Sequence, residues 1–186
     1  TSTSLSAIYT VTASVGTAPN ICTDTFDITV TVNPKPSIAD VTQAICTGNT
    51  FTVTPTNTAP DVVPTGTTYT WTVAAPAGIT GASNQATAQT SISQTLTNAT
   101  SNSIVVTYTV TASFGTAPNS CTDTFAINVT VNPEPQIADV LQTICSGDTF
   151  TVTPTNTAPD VVPTGTTYTW TVVAPAGITG ASNQAT

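Results

Sequence analysis

The chain has no histidine, no methionine and no arginine, and Lys35 is its one basic residue. Each absence removes a class of function. Without histidine, the usual proton shuttle near neutral pH and the commonest transition-metal ligand are both missing. One lysine builds neither a phosphate cradle nor a nucleic-acid footprint, and a net charge of −8 at pH 7 repels both polyanions. Serine and threonine nucleophiles lack a base to activate them, so no enzyme is expected. Charged residues make up only 5% and aromatic residues 6%. No apolar run reaches the eighteen residues a membrane helix needs, and no basic stretch followed by an apolar one opens the chain as a signal peptide would.

What the chain has instead is threonine, 47 of its 186 residues. Its solubility therefore rests on hydroxyls and amides, unlike the Lys- and Glu-rich surfaces of most cytosolic proteins. Hydrophobic residues account for 39%, and the mean hydropathy is +0.18. A packed core is expected, not disorder. Four cysteines without a Cys-x-x-Cys motif or a histidine argue against zinc and for disulfides in an oxidising compartment. The expected location is extracytoplasmic.

Shifted by 99 positions, residues 1–87 align with 100–186 without a gap, and 71 of the 87 are identical. Cys22 falls on Cys121, Cys46 on Cys145 and Trp71 on Trp170. Asn33-Pro34-Lys35-Pro36 and Asn132-Pro133-Glu134-Pro135 read as short stiff connectors, because proline fixes its own φ and restricts the residue before it. The expected organisation is the C-terminal part of one repeat over 1–35, a complete repeat over 36–134 and the N-terminal half of the next over 135–186. Such a frame reads as a window on a longer array. Because Lys35 aligns with Glu134, a Lys–Asn isopeptide crosslink recurring in each repeat is excluded.

Within one repeat, apolar residues alternate with threonine. Phe51 and Val53, then Tyr69, Trp71 and Val73, then Val106, Tyr108 and Val110, then Phe125, Ile127 and Val129 mark one face, and Ile92 and Leu96 join them. A period of two in β-branched residues is the signature of half-buried antiparallel strands. Strands are predicted near 38–45, 50–56, 67–75, 91–97, 103–113 and 123–132, with a short one near 80–88. No helical stripe appears. The fold class is all-β: tandem immunoglobulin-like antiparallel sandwiches of about 99 residues.

The segments Ile45–Val53, Thr68–Val73, Val106–Val110 and Val129–Pro133 resemble the PKD-like, immunoglobulin-like repeats of very large secreted surface proteins of Bacteroidota. Gliding-motility adhesins and other type 9 secretion cargo carry such repeats. One departure is that Trp71 is followed by Thr72-Val73-Ala74, where true PKD domains carry a Trp-Asp-Phe-Gly-Asp-Gly motif. The resemblance implies a structural repeat of a filament or adhesin stalk, a semi-rigid spacer projecting a distal adhesive region. Its expected partners are neighbouring repeats, other surface components or extracellular polysaccharide, with no nucleic acid and no membrane insertion. Two alternatives are a glycan- or protein-binding module and a spacer within a secreted multidomain enzyme.

Candidate sites are few. Cys46 is placed at the turn between the first two strands and Cys121 near the turn between the last two, with Cys22 and Cys145 as their repeat counterparts. An internal Cys46–Cys121 bridge, a staple from Cys46 to the counterpart of Cys121 in the following repeat, and free thiols all remain open. No cofactor is expected. The weak calcium candidates are Asp40, Asp61 and Asp123, on an early strand and two loops able to share one domain end; with no EF-hand or Asp-x-Asp spacing, scattered solvated carboxylates are the better reading. Asp24-Thr25-Phe26, Asp123-Thr124-Phe125 and Asp148-Thr149-Phe150 resemble the Asp-Ser/Thr-apolar motif of Bacteroidota O-glycosylation, which makes Thr25, Thr124 and Thr149 glycan candidates. Asn98-Ala99-Thr100 and Asn128-Val129-Thr130 match the N-glycosylation pattern and read as chance.

Overall fold

The computed structural model describes residues 2–184. Among them are eleven strands and no helix, hence none long and apolar enough to cross a membrane. A first hairpin joins β1 (Leu5–Val15) to β2 (Cys22–Val32). The strands that follow are β3 (Val41–Cys46), β4 (Thr50–Val53), β5 (Thr68–Val73), β6 (Ile79–Thr80) and β7 (Gln85–Gln89). They are completed by β8 (Ile92–Thr95), β9 (Thr97–Asn98), β10 (Ile104–Phe114) and β11 (Cys121–Asn132).

Strands β3 to β11 form one sandwich. A five-stranded sheet in the order β3-β11-β10-β5-β7 packs against the pairs β4-β8 and β6-β9. The alternation predicted from sequence decides which side chains face inward. Val106, Tyr108, Val110 and Ala112 of β10 and Phe125, Ile127, Val129 and Val131 of β11 are buried, while Thr107 and Thr109 between them are exposed. Phe51 of β4 packs on Tyr108 with ring centroids 5.1 Å apart and planes tilted by 51°, and Tyr69 meets Phe125 edge-on at 6.4 Å. Tilted and edge-on contacts of this kind avoid the face-to-face repulsion of two aromatic quadrupoles. Apart from the connector prolines Pro34 and Pro36, the buried apolar residues among those described lie between Ile38 and Val131. Of the expected core, Val73 is only half-buried; Ile38, Ile79, Ala112 and Val131 join it.

The structure departs from the expected strands at several points: the second ends at Val53 and not at 56, the short one near 80–88 becomes β6 and β7, that over 91–97 divides into β8 and β9, and the first differs most. The first strand starts at Val41 instead of position 38, because the N–H groups of Ile38 and Ala39 are taken by carboxylates and not by a neighbouring strand. It also runs parallel to β11, with Val41 opposite Ile127 and Cys46 opposite Asn132. The sandwich is therefore not antiparallel throughout. The connector delivers β3 to the end of the sheet where β11 begins, so both strands leave that end in the same direction.

Outside the sandwich, identical sequence meets different surroundings. The β1–β2 hairpin reproduces β10–β11 pair for pair, Leu5 opposite Val32 to Val15 opposite Cys22, against Ile104 opposite Val131 to Phe114 opposite Cys121. No second sheet covers it, and Tyr9 is 58% exposed where Tyr108 is 0%. Residues 135–184 contain only isolated bridges, Gln136 to Val161 and Trp170 to Gln184.

Candidate functional site

Among the described residues no three His, Cys, Asp or Glu side chains gather as a metal would require. The chemistry-bearing residues concentrate at the two ends of the sandwich. At the proximal end the chain enters from β2 through Asn33–Pro36. At the distal end it leaves β11 at Asn132. A protein strand advances about 3.3 Å per residue, so the twelve residues of β11 separate these ends by roughly 36 Å.

The three carboxylates singled out from sequence all act at the proximal end, as acceptors for backbone. Asp61 Oδ1 accepts from Ala39 N–H at 2.9 Å, and Asp40 Oδ1 accepts from Ala126 N–H at 2.7 Å. Asp123 Oδ2 accepts from Ile38 N–H at 3.4 Å, and its other oxygen lies 3.4 Å from the Lys35 ammonium. Lys35 is two-thirds exposed, so this ion pair contributes at most about 1 kcal/mol. Together the carboxylates splice the connector onto the sheet in place of a strand. Buried Pro34 and Pro36 complete the joint. The Asp61 contact recurs in the following segment, where Asp160 accepts from Ala138 N–H at 2.9 Å.

The distal end is organised by a residue that sequence reasoning passed over as a chance glycosylation motif. Asn98 is 5% exposed. Its Nδ2 donates to the carbonyls of Asn102 and Val131 at 2.8 and 2.9 Å, and its Oδ1 accepts from the N–H and hydroxyl of Thr100. Its own N–H donates to Thr47 Oγ1 at 2.7 Å. A buried amide this fully paired holds the loop 98–103 and the turn after β3 in one piece, and leaving its partners unpaired costs about 1–3 kcal/mol for each buried group. Beside it a groove of about 440 Å³ opens between Thr47, Thr97, Thr100 and the connector residues Glu134 and Pro135. The second motif asparagine, Asn128, accepts through its Oδ1 from the Thr107 hydroxyl at 2.7 Å.

The two ends meet between successive segments, and the contact recurs. Asn57 Nδ2 donates to Ser2 Oγ at 3.0 Å, and Asn156 Nδ2 donates to Ser101 Oγ at 2.8 Å. Ser2 and Ser101 are counterparts 99 residues apart, as are Asn57 and Asn156. In both copies the asparagine Oδ1 also accepts from a valine N–H, Val63 or Val162, which fixes the side chain.

All four cysteines are free thiols in the structure. Cys121 opens β11 at the proximal end; Cys46 closes β3 at the distal end, opposite Asn132. They stand roughly 36 Å apart at the strand rise used above, whereas a disulfide needs Cα atoms within about 7 Å. Cys22 and Cys145 are exposed. Thr25, Thr124 and Thr149 are all exposed, Thr124 on the outer face of β11. Aromatic side chains of the sandwich point inward, apart from the half-buried Phe114.

A family model of the PKD-like domain matches residues 43–135, half of the chain, from the middle of β3 to the connector after β11. No curated protein matches the chain. PKD-like domains are immunoglobulin-type modules, generally non-catalytic and typically found in extracellular proteins. The chain belongs to the PKD-like domain family.

Proposed function

We propose that this chain is part of a tandem array of PKD-like sandwiches forming the stalk or filament of a secreted cell-surface protein, of the kind seen in Bacteroidota gliding adhesins. The repeat acts as a semi-rigid spacer and carries an adhesive region away from the cell. One observation bears most of the weight: the same asparagine–serine bond joins successive segments at both junctions, 3.0 Å at one and 2.8 Å at the other. A chain that enters each sandwich at one end and leaves at the other, through a connector clamped by Asp61, Asp40 and Asp123, stacks its units end to end. Each unit adds about 40 Å, the roughly 36 Å of a twelve-residue strand together with its connector.

The surface suits that task. Threonine hydroxyls keep the faces soluble with few charges, so the rod depends little on ion pairs that salt would screen. Neighbouring repeats are the partners this reading assigns. Immunogold electron microscopy of source cells, with an antibody raised against residues 36–134, tests it. Gold along extended surface filaments is the expected result. Antigen found only in a soluble secreted enzyme would overturn the stalk and leave a spacer between catalytic domains.

A further inference from the structure

Two cysteine contacts at opposite ends of the sandwich involve one asparagine of the repeat, seen in two copies. At the distal end Cys46 is the register partner of Asn132, and the N–H of Thr47 donates to the Asn132 carbonyl at 2.9 Å. At the proximal end the Cys121 thiol donates to the carbonyl of Asn33 at 3.8 Å. Asn33 and Asn132 are counterparts 99 residues apart. Their surroundings match: Ser4 Oγ donates to Asn33 Oδ1 at 2.9 Å, and Ser103 Oγ donates to Asn132 Oδ1 at 2.8 Å.

Superposing the two asparagines brings both cysteines to one peptide group. The cysteine of the β3–β4 turn lies across a parallel ladder from it, about 4.8 Å away. The cysteine that opens the next unit's β11 has its sulfur 3.8 Å from the same carbonyl oxygen. A carbonyl has two lone pairs and serves both donors at once. Both cysteines thus flank the same residue, each within about one strand spacing of it, and a disulfide closes where they lie on the same side of it with Cα atoms within about 7 Å. Exposure follows the same pattern, since Cys121, beside Asn33, is half-buried while Cys22, Cys46 and Cys145 are exposed.

We propose that where one repeat follows another, Cys46 of the first and the counterpart of Cys121 in the second form a disulfide that staples the junction. The inference rests on the end-to-end stacking proposed above. The two thiols give up two protons and two electrons, and the acceptor is the disulfide of an extracytoplasmic thiol oxidoreductase. One cysteine thiolate attacks a sulfur of that disulfide and expels the other sulfur as a thiolate. The second cysteine thiolate then displaces the enzyme from the mixed disulfide, leaving the oxidoreductase with two thiols.

The test uses two chains refolded in a glutathione redox buffer, alkylated and mapped without reduction. Chymotrypsin is the protease, because the one lysine is followed by Pro36 and trypsin has no usable site. The 186-residue chain contains no such pair, so all four thiols of its monomer are expected to alkylate. The second chain continues after Thr186 with another copy of residues 88–134, which completes the third repeat. Two of its five thiols are expected to be lost to one linked peptide pair, Cys46 with the cysteine of the appended copy. Five reactive thiols, or a Cys46–Cys121 link in either chain, would overturn the staple. Small-angle scattering of the extended chain under reducing conditions reads the stacking separately. A rod with every thiol reactive after oxidation defeats the staple alone, whereas a collapsed or freely jointed profile defeats the stacking beneath it.

Discussion

Tyr108 shows what one residue of this core does. It lies under Phe51, is fully buried, and donates its hydroxyl to Gln94 Oε1 at 2.9 Å. Gln94 in turn donates through Nε2 to the Ser83 carbonyl at 2.8 Å, which also accepts from Trp71 Nε1 at 3.1 Å. Burial pushes the Tyr108 hydroxyl pKa up to about 12 and raises that of Tyr69 as well. An unfolded tyrosine loses its proton near pH 10. Below that pH the contribution of the neutral, buried Tyr108 is fully present. As pH rises from about 10 through about 12, the unfolded chain holds fewer protons than the folded one, so stability falls. Tyr108→Phe is expected to cost about 0.5–1.5 kcal/mol at neutral pH for the lost hydrogen bond. It should also make the alkaline decline shallower, with Tyr69 supplying what remains. Urea midpoints measured from pH 8 to 11.5 check this, and an equally steep decline in the variant would remove Tyr108 from the account.

At the scale of elements, the short strands depend on glycines in two different ways. Gly66 and Gly81 both have positive φ, +93° and +89°. A side chain in that region costs roughly 1–2 kcal/mol whatever the space around it. At Gly66, in the turn before β5, an added Cβ meets nothing within 4 Å. At Gly81, just after β6, it would collide with the Thr95 carbonyl oxygen and come within 3.5 Å of Leu96 Cα. Gly66→Ala is therefore expected to cost only the backbone term, whereas Gly81→Ala adds the displacement of β6 from its partner β9. A domain of this size loses about 4–8 °C of Tm per kcal/mol, so thermal unfolding separates the two variants readily. Equal Tm losses would mean that the β6 end yields freely.

For the whole molecule, the buried residues between Ile38 and Val131 define what folds. We expect residues 36–134, cut out alone, to melt in one cooperative transition, because every strand of the sandwich and all its core residues lie inside that span. Its tryptophan fluorescence should be shifted to the blue of the full chain. Trp71 is 6% exposed, whereas Trp170, the same residue one repeat later, is 54% exposed. A broad, non-cooperative melt would place the unit boundaries elsewhere. The family match from 43 to 135 leaves out the Pro36–Asp40 joint, which includes buried Ile38. A span trimmed to the match is therefore expected to melt lower than 36–134.

The sequence alone determined that this protein is all-β, which faces of its strands turn inward and where its period of 99 residues falls. Those properties are local or arithmetical: alternation along a strand needs no knowledge of the partner, and Phe51, Tyr108 and Ile127 announce themselves as core. Tertiary structure decided the rest. Asn98 reads in sequence as a glycosylation motif and becomes the buried organiser of the distal end only when Thr47 and Val131 close around it. Asp40, Asp61 and Asp123 resemble scattered carboxylates until the connector folds against the sheet, where its Ile38 and Ala39 N–H groups donate to Asp123 and Asp61 and its Asp40 accepts from Ala126 of β11. The parallel seating of β3 on β11 follows from where the connector ends, which no pattern within β3 records. The contrast between Tyr9 and Tyr108 states the reason most directly. The two hairpins share nearly the same sequence and the same pairing, yet only the one covered by a second sheet buries its tyrosine. Burial belongs to the pair of surfaces, and a strand carries only one of them.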